Sequence, residues 1–215
     1  MNLLLFIPTY NDNLYFYSLI NKIKNFYTGP ILCIDDCSNE KIVNKNTYKN
    51  LLILNNKSNM GKGYCIIKAS KYAIENNFTH LLVIDSDLQH DPSKIHSFIN
   101  KNKNIDIVYG KRNFYRNMPF IRLFSNVLTS LILSIRCKRI IYDSQCGYRR
   151  YKLEIFKNKN LTNLGYQLES EILIKCLNKS SKIDFVKIPT IYNNNQSNIN
   201  HFYDTLKFIK LILLN

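Results

Sequence analysis

Five short apolar runs, Leu3–Ile7, Ile31–Ile34, Leu51–Leu54, Leu81–Ile84 and Ile105–Tyr109, occupy the first half of the chain, and the stretches between several of them carry helical spacing. Runs this short, apolar at consecutive positions, suit strands buried on both faces. Tyr15 to Phe26 puts Phe16, Leu19, Ile20, Ile23 and Phe26 on one helical face, and Tyr64 to Ile74 spaces Tyr64, Ile67, Lys68, Lys71 and Ile74 by three or four. Strand, helix, strand repeated in this way predicts an α/β domain with a mostly parallel sheet. Ligands of such sheets sit beyond the carboxyl ends of the strands. Three polar clusters fall there: Pro8-Thr9-Tyr10-Asn11-Asp12, Asp35-Asp36-Cys37-Ser38 and Asp85-Ser86-Asp87-Leu88-Gln89-His90-Asp91-Pro92.

The pattern changes after residue 113. An Arg-spiked amphipathic helix (Phe120 to Ile135), a loop from Asp143 to Arg150, a helix near Leu168 to Leu177, a strand near Phe185 to Ile188 and a C-terminal amphipathic helix from Phe202 are expected. The Asn-rich stretch Tyr192 to Asn200 reads as the most mobile loop. A chain of 215 residues suits one domain, here 1–215, in two parts, 1–113 and 114–215.

The formal charge of +15 suits an anionic partner. Lys and Asn are abundant throughout, as a coding bias would leave them, so local clusters of Arg carry more weight than the total. The six cysteines include no Cys-x-x-Cys pair and read as free thiols of a reducing cytosol. The N-terminal apolar run stops at Pro8 without a basic leader and reads as a strand. No apolar stretch reaches the roughly 20 residues of a membrane span, so any contact with a membrane is made from one side.

Asp85 and Asp87, one residue apart at a strand's end, cannot both be buried unpaired. A hard divalent cation with oxygen ligands, Mg²⁺ or Mn²⁺, would neutralise them against a diphosphate. The alternative is an ordinary turn capping a helix that starts near Pro92, with Asp91 as its N-cap. Gly61-Lys62-Gly63 lacks the spacing of a Gly-rich phosphate fingerprint and reads as the turn leading into a helix, with Lys62 exposed.

Taken in order, Pro8-Thr9-Tyr10-Asn11-Asp12, Ile34-Asp35-Asp36-Cys37-Ser38, Asn59-Met60-Gly61-Lys62-Gly63, Asp85 to Pro92, Tyr109-Gly110-Lys111-Arg112 and Asp143-Ser144-Gln145-Cys146-Gly147-Tyr148-Arg149 resemble family 2 glycosyltransferases. The likeness is greatest to dolichyl-phosphate mannose synthase-like and other polyprenyl-phosphate sugar transferases, and it runs from residue 3 to about 190. The resemblance implies a GT-A fold in which Pro8, Tyr10 and Asp12 line the base and ribose pocket, Asp12 standing where Glu is usual. It implies that Asp36 accepts from the nucleobase with Ile34 beside it, while Asp35 caps its own loop. Asp85 and Ser86 would contact the ribose side, Asp87 and Gln89 would hold the metal, and Arg112 would neutralise phosphate.

Glycosyl transfer needs a stabilised leaving group, a nucleophilic acceptor and the exclusion of water. A hydroxyl acceptor requires a general base, whereas a lipid phosphate is already anionic and requires only positioning. Arg116, Arg122, Arg136, Arg139, Arg149 and Arg150 lie in the acceptor-side segment and suit an anionic acceptor or membrane surface. Asp143, in a loop resembling the family's Asp-x-x-x-Gly-Tyr motif, is expected to position the acceptor or act as base. Of Glu169 and Glu171, at most one can face the site, and Glu171 matches the family position.

The resemblance thus implies inverting transfer from a UDP- or GDP-sugar to a polyprenyl phosphate or another membrane-associated glycan or lipid, by a cytoplasmic protein held on the cytoplasmic face of a membrane through its amphipathic helices. One departure is plain. Asn193-Asn194-Asn195-Gln196-Ser197-Asn198 stands where relatives carry a basic Arg-x-x-Gly-x-Ser-Lys loop. It leaves a non-catalytic nucleotide-binding relative as an alternative. Three acidic strand ends argue against a nucleic-acid partner, and the absence of glycine from Pro8 to Asp12 argues against a nucleotidyltransferase.

Overall fold

The computed structural model describes residues 1–44, 48–113, 120–157 and 159–191 together with 208, 211 and 212, the first three residues of 120–157 by backbone alone. Arg116, the Arg122 side chain, the loop 192–200 and most of the expected helix from Phe202 lie outside the described residues.

Each of the five apolar runs forms a strand: β1 (Leu3–Thr9), β2 (Ile31–Asp35), β3 (Leu51–Asn55), β4 (His80–Val83) and β5 (Ile107–Arg112). β6 (Arg149–Lys152) and β7 (Ile183–Ile188) join them in one seven-stranded sheet ordered β3-β2-β1-β4-β6-β5-β7. All neighbours are parallel except β6, which runs antiparallel between β4 and β5. The change of pattern at residue 113 therefore does not divide the sheet, because β6 and β7 complete it.

Alternate residues of each central strand feed two cores. Leu4, Phe6, Leu32, Ile34, Leu81 and Val83 pack under α2 (Lys62–Glu75), α4 (Phe120–Cys137) and α5 (Leu168–Lys175). Leu3, Leu5, Ile7, Ile31, Cys33 and Leu82 pack under α1 (Asn13–Ile23) and α3 (Ile95–Ile99). Both faces of the sheet are covered, which is why its strands read as continuous apolar runs. In α1 the buried residues are Phe16, Leu19, Ile20 and Ile23, four of the five on the expected face. Four such side chains contribute about 6–12 kcal/mol of gross burial energy.

The expected face of α2 is corrected. Gly63, Cys65, Ile66, Ala69, Ser70 and Ala73 are its buried residues, not the stripe running through Lys68 and Lys71. Small side chains let α2 lie close on β1, so its inward face carries little of the bulk that marks a helix face in sequence.

β6 was expected as loop, and Arg149 and Arg150 were expected at an acceptor surface. Both are fully buried instead. Arg149 donates to the carbonyls of Cys146, Ser144 and Glu169, and Arg150, on the opposite face, to those of Phe98, Lys101 and Asn102. Guanidinium groups with several fixed donors can satisfy loop carbonyls that no strand or helix satisfies. Arg139 does the same for Asn178, Lys179 and Ser181. These three arginines hold loops together and are withdrawn from the anion-binding cluster.

Candidate functional site

The loops that follow β1, β2 and β4 lie side by side at the carboxyl edge of the sheet. Each contains a non-glycine residue in the left-handed region: Asn11 (φ 55°), Cys37 (φ 68°) and Leu88 (φ 63°). For Leu88 this costs about 1–2 kcal/mol, a strain that persists only where surrounding contacts fix the loop. Those contacts are visible. Ser38 Oγ accepts from the Asn11 amide at 2.8 Å, and Ser86 Oγ donates to Asp12 Oδ2 at 2.7 Å. Asp12 is placed to cap α1 but its side chain makes no capping bond, having turned across to the β4 loop. Burial, chiefly, pushes the Asp12 carboxyl above its usual value.

Asp35 is fully buried and accepts from the Ser38 amide, the Ser38 hydroxyl and the Ile42 amide, so it caps its own loop as expected. Asp36 accepts from the amides of Met60 (3.0 Å) and Gly61 (2.7 Å) and from Asn56 Nδ2 (2.7 Å). It thereby fixes the turn before α2. Pro8 and Ile34 are paired neighbours near the carboxyl ends of β1 and β2 and both are buried, whereas Tyr10 is 38% exposed.

Lys62 is not exposed. Its side chain is 17% accessible, and Nζ lies 2.8 Å from Asp85 Oδ1 and 3.1 Å from Glu169 Oε1. His90 Nε2 stands 3.2 Å from Asp85 Oδ2. Burial opposes the charge on Asp85, yet Lys62 and His90 together hold its carboxyl far below the usual range. Asp87 is shifted the other way, raised first by burial and then by the neighbouring charge of Asp85. One oxygen of Asp87 accepts from the Gln89 amide at 3.0 Å. Asp91 does cap the turn Pro92–Lys94, accepting from the Ser93 amide at 2.9 Å. The capping alternative therefore accounts for Asp91 and leaves Asp85 and Asp87 to the site.

Arg112 and Asp143 form a two-pronged pair, Nε to Oδ2 at 2.8 Å and Nη2 to Oδ1 at 2.9 Å, with Asn126 Nδ2 also donating to Oδ1 at 2.8 Å. Asp143 is wholly inaccessible. Glu171, favoured over Glu169 in the sequence, faces away: its carboxylate accepts from the amides of Thr162 and Asn163 and pairs with Lys175 at 2.7 Å. Glu169 is the glutamate that reaches the site. Lys62, His90 and Glu169 were thus not read as a set, and the signal that could have joined them is the glycine on each side of Lys62. A Cβ at Gly61 or Gly63 would collide with the backbone of the 163–165 loop, which is how α5 and α2 come close enough to share an ion pair.

Among the described residues no three His, Cys, Asp or Glu side chains converge on one point. A metal here would take Asp87 as its carboxylate anchor, with Gln89 two residues on, and complete its shell with ligand oxygens and water, a set that suits a hard cation. The half-buried Asp87 carboxylate beside Asp85 is a place where added positive charge is favourable, so the residues present fit such an ion.

A mostly parallel sheet with its antiparallel strand between β4 and β5, helices on both faces and an Asp-x-Asp loop at the end of β4 define a glycosyltransferase of the GT-A fold. The chain belongs to glycosyl transferase family 2, whose model matches residues 5–158. It is 26% identical over 218 residues to the UDP-N-acetylglucosamine–dolichyl-phosphate N-acetylglucosaminyltransferase of Methanococcus voltae, covering 87% of this chain and 85% of that one. It is 28% identical over 203 residues to the dolichol-phosphate mannosyltransferase of Pyrococcus furiosus, covering 88% of this chain and 56% of that one. Its fold is that of glucosyl-3-phosphoglycerate synthase from Mycobacterium tuberculosis, solved with Mn²⁺, UDP and glucosyl-3-phosphoglycerate, at a TM-score of 0.76 and 15% identity over 99% of this chain and 79% of that one. The protein is an enzyme that transfers a sugar from a nucleotide sugar.

Proposed function

We propose that this enzyme glycosylates a polyprenyl phosphate at a membrane surface, using a UDP- or GDP-sugar, with Asp87 and Gln89 holding Mg²⁺ or Mn²⁺. The observation that carries the reading is the state of the acceptor-side carboxylates. Asp143 is buried under the Arg112 fork and Asn126, Glu169 is paired with Lys62, and Glu171 is turned to the 162–163 loop. A carboxylate engaged in this way is a poor general base. An acceptor that arrives already anionic needs none. Asp143 then serves to orient Arg112, whose fixed positive charge faces the reacting phosphates.

Asp12, Asp36, Ser86, Pro8 and Ile34 would seat the nucleoside beside Tyr10. A bound divalent cation would offset the charge of the departing diphosphate. The two dolichyl-phosphate transferases to which the chain is similar support the acceptor class. So does α4, which exposes Phe124 (62%), Val127 (50%), Leu128 (44%), Leu131 (56%) and Ile135 (71%) along one face. An apolar helix face with Arg136 and Lys138 at its end suits an anionic bilayer surface. No helix among the described residues is long and apolar enough to cross the membrane.

The test is transfer of labelled sugar, from UDP-N-acetylglucosamine and from GDP-mannose, to a short-chain polyprenyl phosphate and to the polyprenol of the same length. Product from the phosphate alone, abolished by EDTA, is expected. Equal glycosylation of the polyprenol would overturn the anionic-acceptor reading, and undiminished product in EDTA would overturn the metal.

A further inference from the structure

We infer that Lys62 is a resident counter-cation, which occupies Asp85 and so keeps the Asp85–Asp87 pair from taking a divalent ion before the donor diphosphate is present. The inference rests on the reading of Asp87 as the ion's protein ligand and concerns the order in which the site fills.

The geometry is specific. Gly61 caps α2 with φ +91°, and the next residue, Lys62, turns inward. Its ammonium lies between Asp85 Oδ1 and Glu169 Oε1, while His90 Nε2 lies on the other oxygen of Asp85. The Lys62 ammonium, 2.8 Å away, is the positive charge on the buried Asp85 Oδ1. Gly147 closes over the pair, where a Cβ would strike both the Asp85 carboxylate and Lys62 Nζ. The position Asp85 could offer a metal is therefore held by a positive charge that the fold brings with it.

A divalent ion approaching this site without nucleotide finds one suitable carboxylate, Asp87, next to a fixed ammonium. One carboxylate and a nearby like charge make a weak site for a hard cation. A diphosphate supplies oxygens and negative charge together, and the balance reverses. Metal then binds with the donor rather than ahead of it.

The test measures Mn²⁺ binding to the full chain without nucleotide, from the free-Mn²⁺ electron paramagnetic resonance signal. Lys62→Met is expected to bind Mn²⁺ at least tenfold more tightly than wild type, Lys62→Arg to resemble wild type, and Lys62→Met/Asp85→Asn to lose the gain. Should Lys62→Met not fold, Lys62→Met/Glu169→Gln removes one charge of each sign and carries the same expectation. Lys62→Met binding no more tightly than wild type, or wild type binding Mn²⁺ equally well with and without UDP while free nucleotide binds, would overturn the inference. Wild type that binds no nucleotide under any condition would instead remove the metal–diphosphate reading beneath it.

Discussion

Local partners decide where each acidic side chain of the site region points. Glu169 and Glu171 are two positions apart on α5, so they face different directions, and spacing alone does not tell which is inward. The 162–163 loop settles it by giving two backbone amides to Glu171, and Lys175 adds an ion pair one turn away. Burial works against the Glu171 charge, but Lys175 and the Asn163 and Thr162 donors outweigh it and bring the carboxyl from its ordinary 4.5 to about 2. The sign follows: Glu171 stabilises the fold fully above about pH 4.5, and that contribution is lost as pH falls toward 2. Glu171→Gln should cost about 2 kcal/mol at pH 7, from hydrogen bonds to a charged group, and flatten the stability profile over that acid window. Urea unfolding of both proteins at pH 6 and pH 3 measures it; parallel losses on acidification would contradict it. Asp35, by contrast, caps its own loop as the resemblance implied, through Ser38 three residues on, a partner that needs no distant segment.

Elements were legible where burial and periodicity coincide. The five apolar runs became strands, and α1 buries four of its five expected residues. β6 was not legible because two of its three buried residues, Arg149 and Arg150 beside Tyr151, are arginines, satisfied in part by carbonyls of residues 98, 101 and 169, far off in sequence. Pattern reading assigns such a pair to the surface, and only the assembled fold shows the carbonyls waiting for them. α2 misled for the complementary reason, since its buried stripe is made of small residues. α4 is the element whose function can be isolated. Leu131 is 56% exposed in the middle of the apolar face, so Leu131→Glu should leave thermal stability nearly unchanged while weakening binding to phosphatidylserine-containing vesicles at least tenfold in a low-salt sedimentation assay. Unchanged vesicle binding would mean that α4 does not meet the bilayer.

At the scale of the whole molecule, the strand order places the carboxyl ends of β1, β2 and β4 next to one another, and cross-loop bonds from Asn11 to Ser38 and Ser86 to Asp12 lace their loops into one rim, to which Gly61 joins the β3–α2 turn through Asp36. α5 then closes the rim from the acceptor side through Glu169 and Lys62. The clusters themselves were visible in the sequence because polar residues interrupt apolar runs at strand ends; their mutual contacts were not, since each bond joins segments tens of residues apart. The central claim is that this rim binds a nucleoside diphosphate through a metal at Asp87. The most direct measurement is thermal stability with UDP, GDP, CDP and their sugars, each with and without Mn²⁺ or Mg²⁺, because a ligand at about 100 times its Kd adds about 2.7 kcal/mol to the folded state. The account predicts a metal-dependent rise with one nucleotide class that Asp87→Ala abolishes; no rise with any nucleotide, or an undiminished rise in Asp87→Ala, would contradict it.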